Sequence, residues 1–445
     1  MESRIFHRQA GVTPPEAVRG DGIYIVAADG KRYLDASGGP AVSCLGHSDE
    51  AVAEAVASQA RTLAYAHSGF FTTEPAEELA RRLTEAAPGD LDFAYFVSSG
   101  SEANEAALKL ARQYFLEKGE PERHHFIARR QSYHGTTLGA LSVGGNMGRR
   151  EPFRPMLQDW SHVSPCYPYR GQADGESDES YGERLAAELD REIRRVGAEK
   201  VAAFIAEPVV GASLGAAPAV PGYFARVREV LDRHGVLLIL DEVMCGMGRC
   251  GSLFACERDG VVPDIVTCAK GLGAGYVSIG AMLLSRRIHD AVAGGSGGFM
   301  HGQTYLGHPV AAAGALAVQK RLTDDGLLAD VDAKGAWLEA RLLERFGNHP
   351  HVGEIRGRGL FIGLELVRDR TDKAPFDPAL KLNARIKAEA LARQMICYPG
   401  GGTVDGNAGD HVILAPPFIV TEADMAEIVG RLGEAVDAAI AGAGA

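Results

Sequence analysis

Short, wholly apolar runs alternate along the middle of the chain with longer amphipathic ones. Phe93 to Val97 (FAYFV) predicts a strand, and the segment from Glu102 to Tyr114 predicts a helix after it. Phe126 to Ala128 and Val201 to Ala206 predict two further strands. Pro221 to His234 predicts a helix, with Pro near its start and Gly235 after its end. Val236 to Leu240 (VLLIL) has the unbroken hydrophobicity of a strand covered on both faces, and Ile265 to Cys268 and Ile279 to Leu284 follow in kind. Strands alternating with helices predict βαβ units around a mostly parallel sheet, an α/β domain at 61–325. The flanks differ. Residues 23–36 predict a hairpin turning at Asp29-Gly30. Beyond 325 the pattern is a helix, paired strands over Gly353 to Leu366, and helices near 378–394 and 421–441. The expectation is a smaller α+β domain shared by 1–60 and 326–445.

Composition narrows the function. The 445 residues carry a net charge of −12, which disfavours nucleic-acid or anionic-membrane surfaces. No apolar run approaches the ~18 residues of a membrane span, and the N-terminus lacks the apolar core of a signal peptide. Seven cysteines without Cys-x-x-Cys or zinc spacing predict free thiols, no metal and a cytoplasmic location.

Ligands of open α/β sheets bind at the carboxyl ends of the strands, and four segments bring chemistry there. Ser98-Ser99-Gly100-Ser101 runs from a strand into a helix. Free N–H groups at such a start suit a phosphate, although a capping box from Ser101 to Asn104 or Glu105 would explain the same residues. Asp241 ends the most hydrophobic strand, where a carboxylate needs exposure or a cationic partner. It is either a helix cap or the partner of a protonated heterocycle nitrogen. Lys270 is one of only ten lysines against 36 arginines, and it sits between an apolar strand and a Gly-rich turn. Desolvated there, its amine is a nucleophile for a carbonyl; otherwise it simply caps a strand. Tyr133 in Tyr133-His134-Gly135 either stacks on a flat ring or packs in the core. Together the four describe pyridoxal phosphate: a phosphate cradle, a stacking aromatic, an acid for the ring nitrogen and a Schiff-base lysine.

Longer motifs then stand out. They include Asp35-Ala36-Ser37-Gly38-Gly39, Ser99-Gly100-Ser101-Glu102-Ala103-Asn104-Glu105, Ala206-Glu207-Pro208 and Leu240-Asp241-Glu242-Val243. Ala269-Lys270-Gly271, His301-Gly302-Gln303-Thr304-Tyr305, Gly307-His308-Pro309 and Ala415-Pro416-Pro417-Phe418 continue the series. Over nearly its full length the chain resembles the class III aminotransferases of fold type I, which include the ω-amino acid:pyruvate, acetylornithine and 4-aminobutyrate enzymes. The resemblance implies that Gly100 and Ser101 bind the cofactor phosphate and that Tyr133 and Val243 cover the two ring faces. It counts His134 with the cofactor site. It implies that Glu207 helps position Asp241, that Asp241 pairs with the ring nitrogen and that Lys270 forms the Schiff base and shuttles the proton. Thr304 would reach the phosphate of a neighbouring subunit, making a homodimer with shared sites. Amino transfer from a primary amine or ω-amino acid to a 2-oxo acid, pyruvate first, is the expected reaction. A mutase, epimerase or decarboxylase on the same fold is the alternative. A dinucleotide loop at Gly271-Leu272-Gly273-Ala274-Gly275 is disfavoured, because it lacks a full Gly-x-Gly-x-x-Gly.

The departures concern substrate. Thr136 and Thr137 stand where acetylornithine-type members place an Arg after the aromatic-His-Gly. Tyr398, in Ile396-Cys397-Tyr398-Pro399, falls where amine:pyruvate members place a mobile Arg, before a Gly-rich loop from Gly400 to Asp410. Gly39-Pro40 replaces a pocket-narrowing aromatic. Phe70, Phe71 and Tyr398 are expected to line an amine pocket, with core packing the alternative for the two phenylalanines. Arg356 and Arg358 are spare candidates for a substrate carboxylate, against a structural role in Arg-Gly-x-Gly-Leu.

Overall fold

The computed structural model describes residues 4–8 and 11–444, so the ends of the expected terminal segments (1–3, 9–10 and 445) lie outside the described residues. The centre is a seven-stranded sheet in the order Phe93–Val97, Gly280–Leu284, Ile265–Cys268, Leu237–Asp241, Val201–Ala206, His125–Arg129, Ser161–Val163. All neighbours are parallel except Gly280–Leu284, which runs against both of its neighbours. Strand pleating explains the unbroken apolar runs. Phe204, Ala206, Leu238 and Leu240 face one buried cluster, whereas Ala203, Ile205, Leu237 and Ile239 face the other. The helix Gly100–Glu117 covers the second face with Ala106, Ala107, Leu110, Ala111 and Tyr114, small enough at three positions for close approach.

Parallel direction brings the carboxyl ends of five strands to one edge. After them come Ser98, Tyr133, Glu207, Asp241 and Lys270, and the reversed strand adds Ser278 and Ile279 by its beginning.

Both ends of the chain meet in a second group of sheets and helices. Antiparallel strands Val352–Arg358, Phe361–Leu366, Asp410–Leu414 and Tyr398–Gly401 carry the helices Val331–Phe346, Leu382–Ala392 and Glu422–Gly442. A second sheet pairs Ala17–Asp21, Tyr24–Ala27 and Arg32–Asp35 with Met395–Ile396. Leu34 N–H donates to the Gln394 carbonyl and Ala36 N–H to that of Ile396, both at 2.9 Å, which ties the N-terminal hairpin to the C-terminal third. One cluster accordingly joins Ile23 and Leu34 to Met395, Ile428 and Leu432. The helix Pro309–Thr323 serves two clusters, with Ala312 and Leu316 in one and Val318 and Leu322 in the other.

Some boundaries differ from expectation. The site helix begins at Gly100, two residues early, because Ser99 is its cap. The expected helix at 378–394 is a short 3₁₀ turn followed by Leu382–Ala392, with Lys381 in the left-handed region between them. The ends of the expected 400–410 loop are strand: Gly400 and Gly401 pair with His411 and Asp410. Among the described residues all seven cysteines are free and buried, and no helix is long and apolar enough to cross a membrane.

Candidate active site

At the common strand edge lies a cavity of about 380 Å³. Gly100, Ser101, Tyr133, His134, Glu207, Asp241, Val243 and Lys270 all line it, so eight of the expected cofactor residues converge. The helix start is built for an anion. Ser99 Oγ accepts from Glu102 N–H at 3.2 Å and the Ser99 carbonyl from Ala103 N–H at 3.0 Å. Glu102 Oε2 accepts from Ser98 N–H at 2.7 Å, so the helix is capped by Ser99, without a full capping box, and not by Ser101. The N–H groups of Gly100 and Ser101, at the first two helical positions, have no intrahelical acceptor and lie on the cavity wall.

Asp241 is 3% exposed and held by three donors. Its Oδ2 takes Asn104 Nδ2 at 2.7 Å and pairs with His134 Nδ1 at 2.8 Å, and its Oδ1 accepts Val243 N–H at 3.0 Å. Asn104, a capping residue by its spacing from Ser101, is instead a bridge. It also donates to the His134 carbonyl at 2.7 Å and accepts from Thr267 Oγ1 at 2.8 Å. The signal in the sequence is an Asn one helical turn past the Gly100 start. Glu207, 4% exposed, accepts from the N–H groups of Tyr133 and Gly211, both at 3.0 Å. It therefore fixes the Tyr133 backbone, while Asn104 and His134 make the bonds to Asp241. Burial pushes the Glu207 carboxyl above its ordinary range, and the Asp241 charge adds to this.

Lys270 leaves its strand at φ +45°, a left-handed turn that aims the side chain into the cavity. Burial pushes its amine down, and Asp241 and Glu207 pull it back up. Ser101 Oγ accepts from Thr136 N–H at 3.1 Å, which binds the aromatic-His-Gly turn to the helix start.

Four expected residues lie outside this cavity. Thr304 is exposed, and its carbonyl accepts from Tyr65 Oη at 2.9 Å. Phe70 and Phe71 are 81% and 68% exposed, neither in the cavity nor in the core. Tyr398 is half-buried and packs on the cluster of Ala41, Val209, Met244 and Ile413. The spare arginines are both committed. Arg356 donates to Gly215 and Leu214 carbonyls and pairs with Glu365 at 2.7 Å, and Arg358 grips Asp259 through two bonds of 2.8 and 2.9 Å.

A seven-stranded sheet with one reversed strand, a lysine and an aspartate at its edge and an anion-binding helix start define a pyridoxal-phosphate enzyme of fold type I. The chain matches the class-III aminotransferase family over residues 5–436, and it belongs to that family. An uncharacterized aminotransferase of Schizosaccharomyces pombe is 45% identical over 438 residues, 98% of this chain and 95% of the relative. The (S)-enantioselective ω-transaminase of Thermomicrobium roseum superposes with a TM-score of 0.89 at 39% identity, over 96% of this chain and 93% of that one. The Pseudomonas jessenii ω-transaminase in complex with PMP gives 0.91 at 35%, over 97% and 94%.

The cavity fits the cofactor on its own geometry. Two free N–H groups suit the phosphate, a buried carboxylate faces the place of a ring nitrogen, and Tyr133 and Val243 stand on the walls to cover a flat ring.

Proposed function

We propose that the protein moves an amino group from a primary amine or ω-amino acid to a 2-oxo acid, pyruvate foremost, in two half-reactions of a ping-pong cycle. The observation that carries this reading is the convergence of Lys270, Asp241, Glu207 and the Gly100-Ser101 helix start on one cavity. When bound, pyridoxal phosphate supplies an electrophilic aldehyde and a ring that accepts electrons from the substrate carbon. Lys270 would hold the aldehyde end of the cofactor and yield it to the donor amine. Its Nζ, pushed toward the neutral form by burial, would be the base that takes a proton from the substrate carbon and the acid that gives it back. Asp241, oriented by Asn104, His134 and Val243, keeps a proton on the ring nitrogen. Tyr133 and Val243 hold the ring flat between them, and Gly100 and Ser101 fix the phosphate end.

We further assign the protein to a homodimer in the cytosol. Thr304, which does not line its own cavity, would reach the phosphate of the other subunit. Exposed Tyr65, Phe70, Phe71, Met300 and Tyr305 on that side support an interface, because solvated apolar groups of this size gain from being covered. The free buried thiols support the cytosol.

The test is the visible spectrum of the purified holoenzyme. A single amine without oxo acid bleaches the yellow band, and pyruvate restores it. Lys270→Ala loses at least a thousandfold in turnover. A yellow protein that no donor bleaches sinks the transaminase reading in favour of a decarboxylase, mutase or epimerase.

A further inference from the structure

A substrate carboxylate needs a cation that is not already spent. Around the cavity the buried arginines are all engaged. Arg129 donates to the Glu207 carbonyl, and Arg249 donates to the carbonyls of Leu360 and Pro416 at 3.1 and 2.6 Å. Arg356 and Arg358 are held as described above, and Arg150 donates to the Gly144 carbonyl at 3.0 Å.

Arg149 is different. Its guanidinium lies over the Tyr133 ring, with Cζ 4.7 Å from the centroid. Among the described residues it makes no ion pair and no side-chain hydrogen bond. It is half-buried, so a carboxylate reaching it is partly shielded from water. Stacking on an aromatic face occupies the plane of the guanidinium and leaves its N–H edge available for a bidentate acid.

The position of this arginine is set by its surroundings. Asn146 Oδ1 accepts the Arg149 N–H at 3.2 Å and starts the short helix Met147–Arg150. Gly148 sits against the Gly406 carbonyl so closely that a Cβ there would come within 2.8 Å. The loop carrying Gly406 is anchored in turn by Gln131 Nε2, which donates to the Thr403 carbonyl at 3.1 Å. Arg8 adds a second positive field at the Tyr133 hydroxyl and makes no ion pair among the described residues.

Tyr133 lines the cavity and Arg149, stacked over its ring, does not, so the guanidinium lies beyond the cavity wall. An α-carboxylate, attached directly to the reacting carbon, does not span that gap; a carboxylate several methylenes away does. Resting on the transaminase reading above, we propose that Arg149 anchors a substrate carboxylate remote from the reacting amine, which makes ω-amino acids the preferred donor class.

The experiment compares 6-aminohexanoate with hexylamine, equal in carbon chain and different only in the acid. The ratio of their kcat/KM values is measured in the wild-type holoenzyme, Arg149→Ala and Arg149→Lys. Loss of a charge-assisted bidentate contact corresponds to roughly a tenfold or greater fall in that ratio for Arg149→Ala, carried by KM for the acid. Arg149→Lys restores part of it. A ratio within twofold of wild type in Arg149→Ala overturns the proposal. Failure of the transaminase reading shows separately, as a wild type that neither donor bleaches. Calorimetric binding of hexanoate to the holoenzyme then decides the role of Arg149. A dissociation constant about tenfold weaker in Arg149→Ala supports it. Equal affinities, or no binding to wild type, overturn it.

Discussion

Asn104→Asp isolates the electrostatics beneath Asp241, the carboxylate proposed to face the ring nitrogen. In the native protein Asn104 Nδ2 lies 2.7 Å from Asp241 Oδ2 and donates to it, while Oδ1 accepts from Thr267. The substitution keeps the shape and the Thr267 bond. It turns a donor into a second carboxylate oxygen facing the first, in a place where both side chains are buried. Two charges about 4 Å apart repel by about 4 kcal/mol at an effective dielectric near 20. The folded protein escapes by keeping one proton on the pair, at about 1.4 kcal/mol for each pH unit above the ordinary carboxyl range. The folded-state pKa of the pair is thus raised above its unfolded value. Stability is intact at low pH and is lost as pH rises through that raised value.

The expected deficit relative to wild type therefore grows by about 3 kcal/mol between pH 5 and pH 8, on top of a constant loss of roughly 1–3 kcal/mol for the missing donor bond to the His134 carbonyl. Urea unfolding of the holoenzyme at the two pH values reads it, with Asn104→Ala as the control for lost bonds without added charge. If the Asp and Ala variants lose stability in parallel at both pH values, the placement of Asn104 against Asp241 is wrong.

Two further expectations rest on equally local geometry. Gly135 has φ +137°, and a Cβ there would approach Ser101 Oγ within 2.6 Å, so Gly135→Ala strains the turn against the phosphate cradle. Its dissociation constant for pyridoxal phosphate, read by absorbance titration, should rise about tenfold; an unchanged constant removes Ser101 from the cradle. Burial, with the Arg356 charge adding to it, pushes His411 down to about 3. That lies below its unfolded value, so the stability it contributes is present above about pH 6.5 and lost as pH falls. The stability gap between wild type and His411→Gln should shrink by about 2 kcal/mol from pH 6.5 to 5, and a constant gap contradicts the burial argument.

What was legible in the chain follows from how local each signal is. Val201–Ala206 and Leu237–Asp241 announce themselves because a strand covered on both faces must be apolar at every position. Lys270 and Asp241 stand out for the same reason: a charge ending such a run has to be used. Ser161–Val163 and Met395–Ile396 are too short to carry a period, and Tyr398–Gly401 reads as a loop because Pro and two glycines form it. Their pairing is decided by partners far away in sequence. Asn104 failed for a related reason. Its spacing from Ser101 matches a local cap, whereas the bonds to Asp241, His134 and Thr267 exist only once four elements meet. Phe70 and Phe71 were assigned from residue type alone, and nothing in a residue type says which surface it faces.

The charge arrangement gives the site its logic. Two carboxylates, Asp241 and Glu207, stand in one low-dielectric cavity, and the lysine beside them is pushed toward its neutral form by burial. Left alone, that arrangement is a net cost, since buried charge without a partner is unfavourable. The chain deals with the two acids differently. Asp241 receives three donors, among them the His134 imidazole, while Glu207 has only two backbone N–H groups and is displaced upward. The two environments separate the roles: one carboxylate prepared to face a cation, the other prepared to hold the Tyr133 backbone in place. On the proposed placement, a protonated heterocycle facing Asp241, with its anionic end on the Gly100 helix start, would balance the cavity at both ends. The cost carried by the protein alone is then recovered when the cofactor binds, which is why the holoenzyme should be markedly more stable than the apoprotein.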